Sequence, residues 1–184
     1  MKFVSTKNKI EAEAEEAIFS GTASDGGLFM PSVIPKIEPS AYNNTENFQL
    51  FSNKMLGVFF KETVLEDDLN EIVSEALNFE VIQRDLSNDQ MSISLLELFH
   101  GPTAAFKDFG ARFLAASMSK IIKKQANPKA VTILVATSGD TGSAVASAFH
   151  NRQGFNVVVL FPNGRVSPRQ QHQLTCWGNN VVSV

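Results

Sequence analysis

The sequence predicts an α/β fold in which an α-rich amino-terminal region precedes a parallel-sheet region. Three observations predict it. From Ser92 onward, short β-branched runs alternate with helical apolar spacing, the pattern of strands that run parallel and need covered crossovers. Before that point, apolar residues recur at helical spacing between turn residues. At 131–149 an apolar run passes through a Gly/Ser/Thr turn into an Ala-rich helix, the kind of junction at which open α/β sheets bind ligands.

Taken in order, residues 10–19 read as a helix that stops near Gly21, with the acidic run at 11–16 as its solvated face. Pro31, Pro35, Pro39 and the Asn43-Asn44 pair then call for loop and turn. Phe48, Phe51, Leu56 and Phe59 mark a helix over 47–60. Leu65, Leu69, Ile72, Val73, Ala76 and Leu77 mark an amphipathic helix starting around Asp67 and Asp68. The expected division is an α-rich region over 1–90 and an α/β region over 91–184. In the latter, a strand at 92–96 leads to a helix at 106–124, whose Lys120, Lys123 and Lys124 suit its negative end. Strands at 131–136, 156–161 and 180–184 alternate with helices at 143–150 and 168–175. No internal repeat or low-complexity tract is visible.

Composition narrows the function classes. The 184 residues, 43% of them hydrophobic, can bury one good core or one core plus a small appendage. A net charge of −3 with both signs dispersed leaves no basic stripe, which argues against a nucleic-acid partner. Lys2 precedes only a short polar stretch, and no apolar run approaches a membrane span, so a cytoplasmic protein without a membrane partner is expected. The single cysteine, Cys176, excludes an internal disulfide and a multi-thiolate zinc site. Beside Leu174 and Trp177 it is expected to be a buried structural thiol. His100, His150 and His172 show no ligand spacing, so no metal site is expected.

Two motifs carry chemistry. In Ala136-Thr137-Ser138-Gly139-Asp140-Thr141-Gly142-Ser143, glycines allow close approach, hydroxyls supply donors, and the following helix adds free N–H groups and a positive dipole end. Such a turn suits a phosphate or a carboxylate. It matches neither the dinucleotide fingerprint nor the P-loop, and alone it is equally readable as ordinary loop chemistry. Upstream, Glu97-Leu-Phe-His100-Gly101-Pro102-Thr103-Ala-Ala-Phe106-Lys107-Asp108-Phe109-Gly-Ala-Arg112 passes from a polar turn into an apolar helical stripe and puts Lys107 at a helix start. The dipole disfavours a cation there, and Phe106, Phe109 and Phe113 surround the position, an arrangement that favours a neutral, nucleophilic amine. A solvated lysine beside core phenylalanines is the other reading.

These motifs, with Leu160-Phe-Pro-Asn-Gly-Arg165-Val-Ser-Pro168 and the opening Ser24-Asp25-Gly26-Gly27-Leu28-Phe29-Met30-Pro31, resemble the amino-terminal part of threonine synthase. That family consists of pyridoxal-phosphate (PLP) enzymes with the tryptophan-synthase-β-like fold. The resemblance spans nearly the whole chain, in order. It implies a parallel sheet of the PLP fold type II kind, here apparently truncated, because threonine synthases are much longer and the chain closes on an uncovered apolar strand.

By the same resemblance, Lys107 is the lysine that bonds PLP and then moves protons, with Phe106 beside it in the cofactor site. Asp140, where many relatives of this fold carry asparagine against the ring hydroxyl, would tune the cofactor; capping of the following helix is the alternative. Thr137, Ser138, Gly139, Thr141 and Gly142 would hold the substrate carboxylate. Arg165 and Arg112 are the candidates for its phosphate, each with a structural reading beside it. His100 and Asp108 would orient the Lys107 turn. The groups for the PLP phosphate and the pyridine nitrogen are expected beyond Val184, so the isolated chain is expected to be a poor catalyst.

The implied reaction converts O-phosphohomoserine and water to threonine and phosphate. Self-association or the missing carboxyl-terminal portion is the implied partner. A phosphate lyase releasing a 2-oxo acid, a non-catalytic packing fragment and a nucleotide-binding module are the alternative functions.

Overall fold

The computed structural model describes residues 1–43 and 47–184, so Asn44 of the expected Asn43-Asn44 turn lies outside the described residues. The chain forms two compact units, Met1–Leu77 with Ala116–Ala126, and Asn78–Ala115 with Asn127–Val184.

The first unit opens with a three-stranded antiparallel sheet in which β1 (Phe3–Ser5) lies between β2 (Glu11–Ala12) and an edge strand. After β2 come helix α1 (Ala14–Ser20) and that edge strand, β3 (Phe29–Pro31). The helix expected over 10–19 is therefore shorter. Pairing of Val4 with Glu11 and of Phe3 with Ala12 takes the first residues into the sheet, and Glu13 stays extended while it pairs with Lys2. The helix does stop at Gly21, in positive-φ backbone (66°) that suits glycine. Pro31, expected in a loop, closes β3, where an edge strand tolerates the missing donor. The Asp25 carboxylate accepts from Gly27 N and Ser5 Oγ at 2.8 Å and from Asn8 N at 2.9 Å, tying the Gly26-Gly27 turn to β1.

Helix α2 (Phe48–Phe60) begins where the Asn47 side chain accepts from Gln49 N and Leu50 N. It packs on α3 (Leu69–Ala76), whose Leu69, Ile72, Val73 and Ala76 are buried together with Leu65 ahead of it. This is the amphipathic stripe read from the sequence.

The second unit begins with a hairpin, β4 (Ile82–Asp85) against β5 (Ser94–Glu97), antiparallel from Ile82↔Glu97 to Asp85↔Ser94. The strand expected first in the parallel sheet is thus β5, paired antiparallel in a sheet of its own. This pairing ties residues 78–90, expected in the α-rich region, to the second unit. Helix α4 (Lys107–Lys124) starts in the second unit, and its residues from Ala116 on belong to the first. There Lys120 and Lys124 pair with Asp68, and Lys120 also with Glu71.

The parallel sheet consists of β6 (Val131–Ala136), β7 (Phe155–Leu160) and β8 (Val181–Ser183), with α5 (Asp140–Phe149) and α6 (Pro168–Thr175) as crossovers. Its register sets Ile133, Val157 and Val181 side by side. Alternation buries Phe155, Val157, Val159 and Val181 on the helix-covered face, with Phe149 of α5 fully buried edge-on against Phe155 at 5.1 Å. Leu134, Leu160 and Val182 are exposed on the opposite face.

α5 starts at Asp140, ahead of the expected 143, because Gly139 serves as its N-cap and its carbonyl accepts from Gly142 N and Ser143 N. Cys176 is exposed rather than buried: the last turn of α6 turns Leu174 inward and leaves the thiol at the helix end. Among the described residues, no helix is long and apolar enough to cross a membrane.

Candidate functional site

The site lies where β6 hands the chain to α5. Thr137 carries the strand ladder one residue further, its N–H donating to Leu160 O at 2.9 Å. Its hydroxyl then organises the turn, accepting from Gly139 N and Gly142 N, each at 3.1 Å, and donating to Gly139 O at 3.2 Å. A hydroxyl has one proton and two lone pairs, so this one is fully used. Gly142 has no room for a side chain: a Cβ would stand 2.2 Å from Thr137 Cγ2 and 2.9 Å from Leu174 Cδ2.

Two groups expected to hold substrate, the Thr137 hydroxyl and the Gly142 N–H, are therefore spent on each other. The N–H groups of Ser138, Asp140 and Thr141 make no hydrogen bond among the described residues and stand at the positive end of α5. Asp140 is the first residue of that helix; the N-cap is Gly139 and no side chain caps it. The capping alternative for Asp140 does not hold.

Lys107 opens α4 from a turn that its neighbour holds. The Asp108 carboxylate, wholly buried, accepts from Thr103 N at 2.9 Å and from Thr103 Oγ1 at 2.8 Å, and it lies so close to Gly101 that a Cβ there would meet Oδ2 at 2.5 Å. Asp108 thus holds the Lys107 turn, whereas His100, expected to share that role, pairs with Glu97. Its Nε2 lies 2.7 Å from Glu97 Oε2, and Arg84 holds the other carboxylate oxygen. The His100 hydrogen bond first, and the Arg84 one after it, hold the Glu97 carboxyl below the usual carboxylate range.

The apolar enclosure expected around Lys107 is open. Phe106 is 60% exposed, and the lysine Nζ stands 4.1 Å from its ring centroid, over a face that attracts a cation. Phe109 turns away to meet Phe79 edge-on at 4.8 Å.

Lys107, the strand end from Ala136 through Thr141, and Gln170 of α6 line one cleft of about 430 Å³. The structure therefore brings Lys107, Thr137, Ser138, Gly139, Asp140 and Thr141 together. It does not bring the arginines. Arg165 is exposed in a turn closed by its N–H on Pro162 O at 3.1 Å, and Arg112 donates to Asn78 Oδ1 at 2.8 Å beside the Phe79 ring. Gln170 was not foreseen; the one sequence signal for it was the Ser167-Pro-Arg-Gln170 capping-box spacing.

Residues 2–77 match the family described as threonine synthase N terminus, and residues 85–184 match the family of pyridoxal-phosphate-dependent enzymes. The chain belongs to the pyridoxal-phosphate-dependent enzyme family, whose cofactor is PLP. Within it, the match is to the amino-terminal portion of threonine synthase.

The chain is 39% identical over 171 residues to the threonine synthase of Serratia marcescens, an alignment covering 92% of this chain and 38% of that one. The crystal structure of threonine synthase from Escherichia coli superposes with a TM-score of 0.87 at 37% identity, over 100% of this chain and 42% of that one. The PLP-bound threonine synthase from Brucella melitensis gives 0.84 at 34% identity, over 100% and 40%. The chain spans about two fifths of the length of these relatives.

The residues present fit PLP in part. Lys107 lines a cleft of ligand size together with Ser138, Asp140 and Thr141, whose N–H groups make no hydrogen bond among the described residues.

Proposed function

We propose that this chain is the amino-terminal part of a threonine synthase and supplies the cofactor lysine and the substrate-carboxylate cradle of a phosphate-releasing carbon–oxygen lyase. The substrate is O-phosphohomoserine, and the products with water are threonine and phosphate. One observation carries the reading: Lys107 lines the same cleft as Ser138, Asp140 and Thr141, whose N–H groups make no hydrogen bond among the described residues.

PLP, when bound, supplies the electron sink for carbanion chemistry at the substrate amino acid. Lys107 Nζ would hold the cofactor and would serve as the base that moves the proton at the substrate Cα. The loop N–H groups and the Ser138 and Thr141 hydroxyls bind the substrate carboxylate, with about 0.3–1 kcal/mol added by the α5 dipole. Asp140 lines the same cleft as Lys107, and its carboxylate would accept from a cofactor hydroxyl. Thr137 and Asp108 hold the two turns in place.

The cofactor phosphate and pyridine nitrogen need partners that do not line this cleft, and in this reading other parts of the enzyme supply them. The same reading places the protein among biosynthetic enzymes of the cytoplasm.

The test is product analysis with O-phosphohomoserine on the natural protein that carries this chain. Threonine and phosphate in equal amounts support the reading. A 2-oxo acid with phosphate would assign the lyase alternative instead, and no phosphate release would remove both.

A further inference from the structure

We infer that the Gln170 side-chain amide is part of the ligand site and donates to the carboxylate of an amino-acid ligand seated on the 138–141 loop; this rests on the reading of that loop as a carboxylate cradle. Gln170 occupies the third position of α6, and its ends are assigned by their partners. Ser167 Oγ accepts from Gln170 N at 3.3 Å, while Gln170 Oε1 accepts from Ser167 N at 3.2 Å and from Ser167 Oγ at 3.1 Å. A backbone N–H needs an acceptor, so the atom facing Ser167 is the oxygen.

The nitrogen is thereby turned the other way. Nε2 lies 3.0 Å from where a Cβ on Gly139 would stand, against the middle of the cradle, and makes no hydrogen bond among the described residues. Gln170 lines the cleft and is half-buried, whereas its neighbours Arg169 and Gln171 are exposed.

The chemistry follows from the count of donors and acceptors. A carboxylate offers two oxygens and about four lone-pair sites, more than one group of loop N–H donors occupies from one side. Gln170 supplies a further neutral donor close to Gly139, held in direction by the capping box.

Gln170→Glu separates this role from the capping role, because glutamate at that position accepts from Ser167 as glutamine does but offers an oxygen where the donor stood. The isotope-labelled natural protein that carries this chain, with PLP present, is titrated with O-phosphohomoserine and with 3-aminopropyl phosphate, which lacks the carboxylate. Backbone amides of Ser138, Asp140 and Thr141 and the Gln170 side-chain amide are followed by NMR, and thermal unfolding checks the variant's fold.

The inference expects the Gln170 amide to shift with O-phosphohomoserine only, and Gln170→Glu to keep its unfolding temperature while binding that ligand about ten- to a hundredfold more weakly. Backbone shifts with a silent Gln170 amide, equal Gln170 shifts with both ligands, or unchanged affinity in Gln170→Glu would overturn this inference and leave the cradle standing. Silence of the backbone amides as well would overturn both.

Discussion

Replacing Thr137 by valine tests whether the candidate loop is held by its own side chain. Valine keeps the shape against Gly142 and removes the oxygen that serves Gly139 N and Gly142 N, each at 3.1 Å. The Gly142 N–H falls back on Gly139 O at 3.2 Å, a loss of about 1 kcal/mol. The Gly139 N–H has no second partner, and leaving a part-buried donor unsatisfied costs about 1–2 kcal/mol more. The expected destabilisation of the second unit is about 2–3 kcal/mol.

Trp177, the single tryptophan, reports on that unit, since its Nε1 donates to Gln173 O of α6 at 2.8 Å. With a urea dependence of about 2 kcal/mol per molar, its fluorescence midpoint should fall by roughly 1 M. Thr137→Ser, which keeps the hydroxyl, should fall by clearly less. A midpoint within about 0.2 M of the parent for Thr137→Val would show that the hydroxyl is not committed to the loop, and would return it to the list of ligand contacts.

Asp140→Asn should change the pH dependence of the cofactor absorbance in the natural protein and slow its turnover. Because Gly139 rather than Asp140 is the N-cap, stability should move by no more than about 0.5 kcal/mol; an unchanged spectrum and rate would remove Asp140 from the cofactor site. Glu97 should make the second unit acid-sensitive. Its folded carboxyl is held below 4.5, so the folded state binds fewer protons than the unfolded one; the stabilisation is present above the unfolded value and is lost as pH falls through the lower folded one. Urea unfolding across that range should show a flatter acid limb for Glu97→Gln than for the parent, and identical limbs would refute the assignment.

Much of the candidate cleft was legible because its lining residues sit in two contiguous motifs: Lys107 after the His100-Gly-Pro turn, and the 137–141 loop after an apolar run. The β6-to-β8 region was equally legible, since each strand is an apolar run and α6 begins at a Ser-Pro cap. What escaped depends on pairing across the chain. Glu11 and Ala12 look helical until β1 claims them, and Ile82-Gln-Arg-Asp85 is too polar to announce a strand until β5 lies beside it.

The side-chain directions escaped for the same reason. Nothing local says that the Thr137 hydroxyl turns inward, that Cys176 faces solvent, or that Gln170 meets Gly139. Arg165 drew attention by residue type alone, and its turn carries it away from the cleft. The apolar spacing around Phe106 predicts enclosure, whereas its ring is an open face beneath the amine.

The central claim is that Lys107 bears the cofactor. Adding PLP to the protein, reducing with borohydride and mapping peptides should place the pyridoxyl group on Lys107, and Lys107→Ala should remove both the label and the visible absorbance band. Label carried instead by Lys120, Lys123 or Lys124, or a band that survives Lys107→Ala, would contradict it.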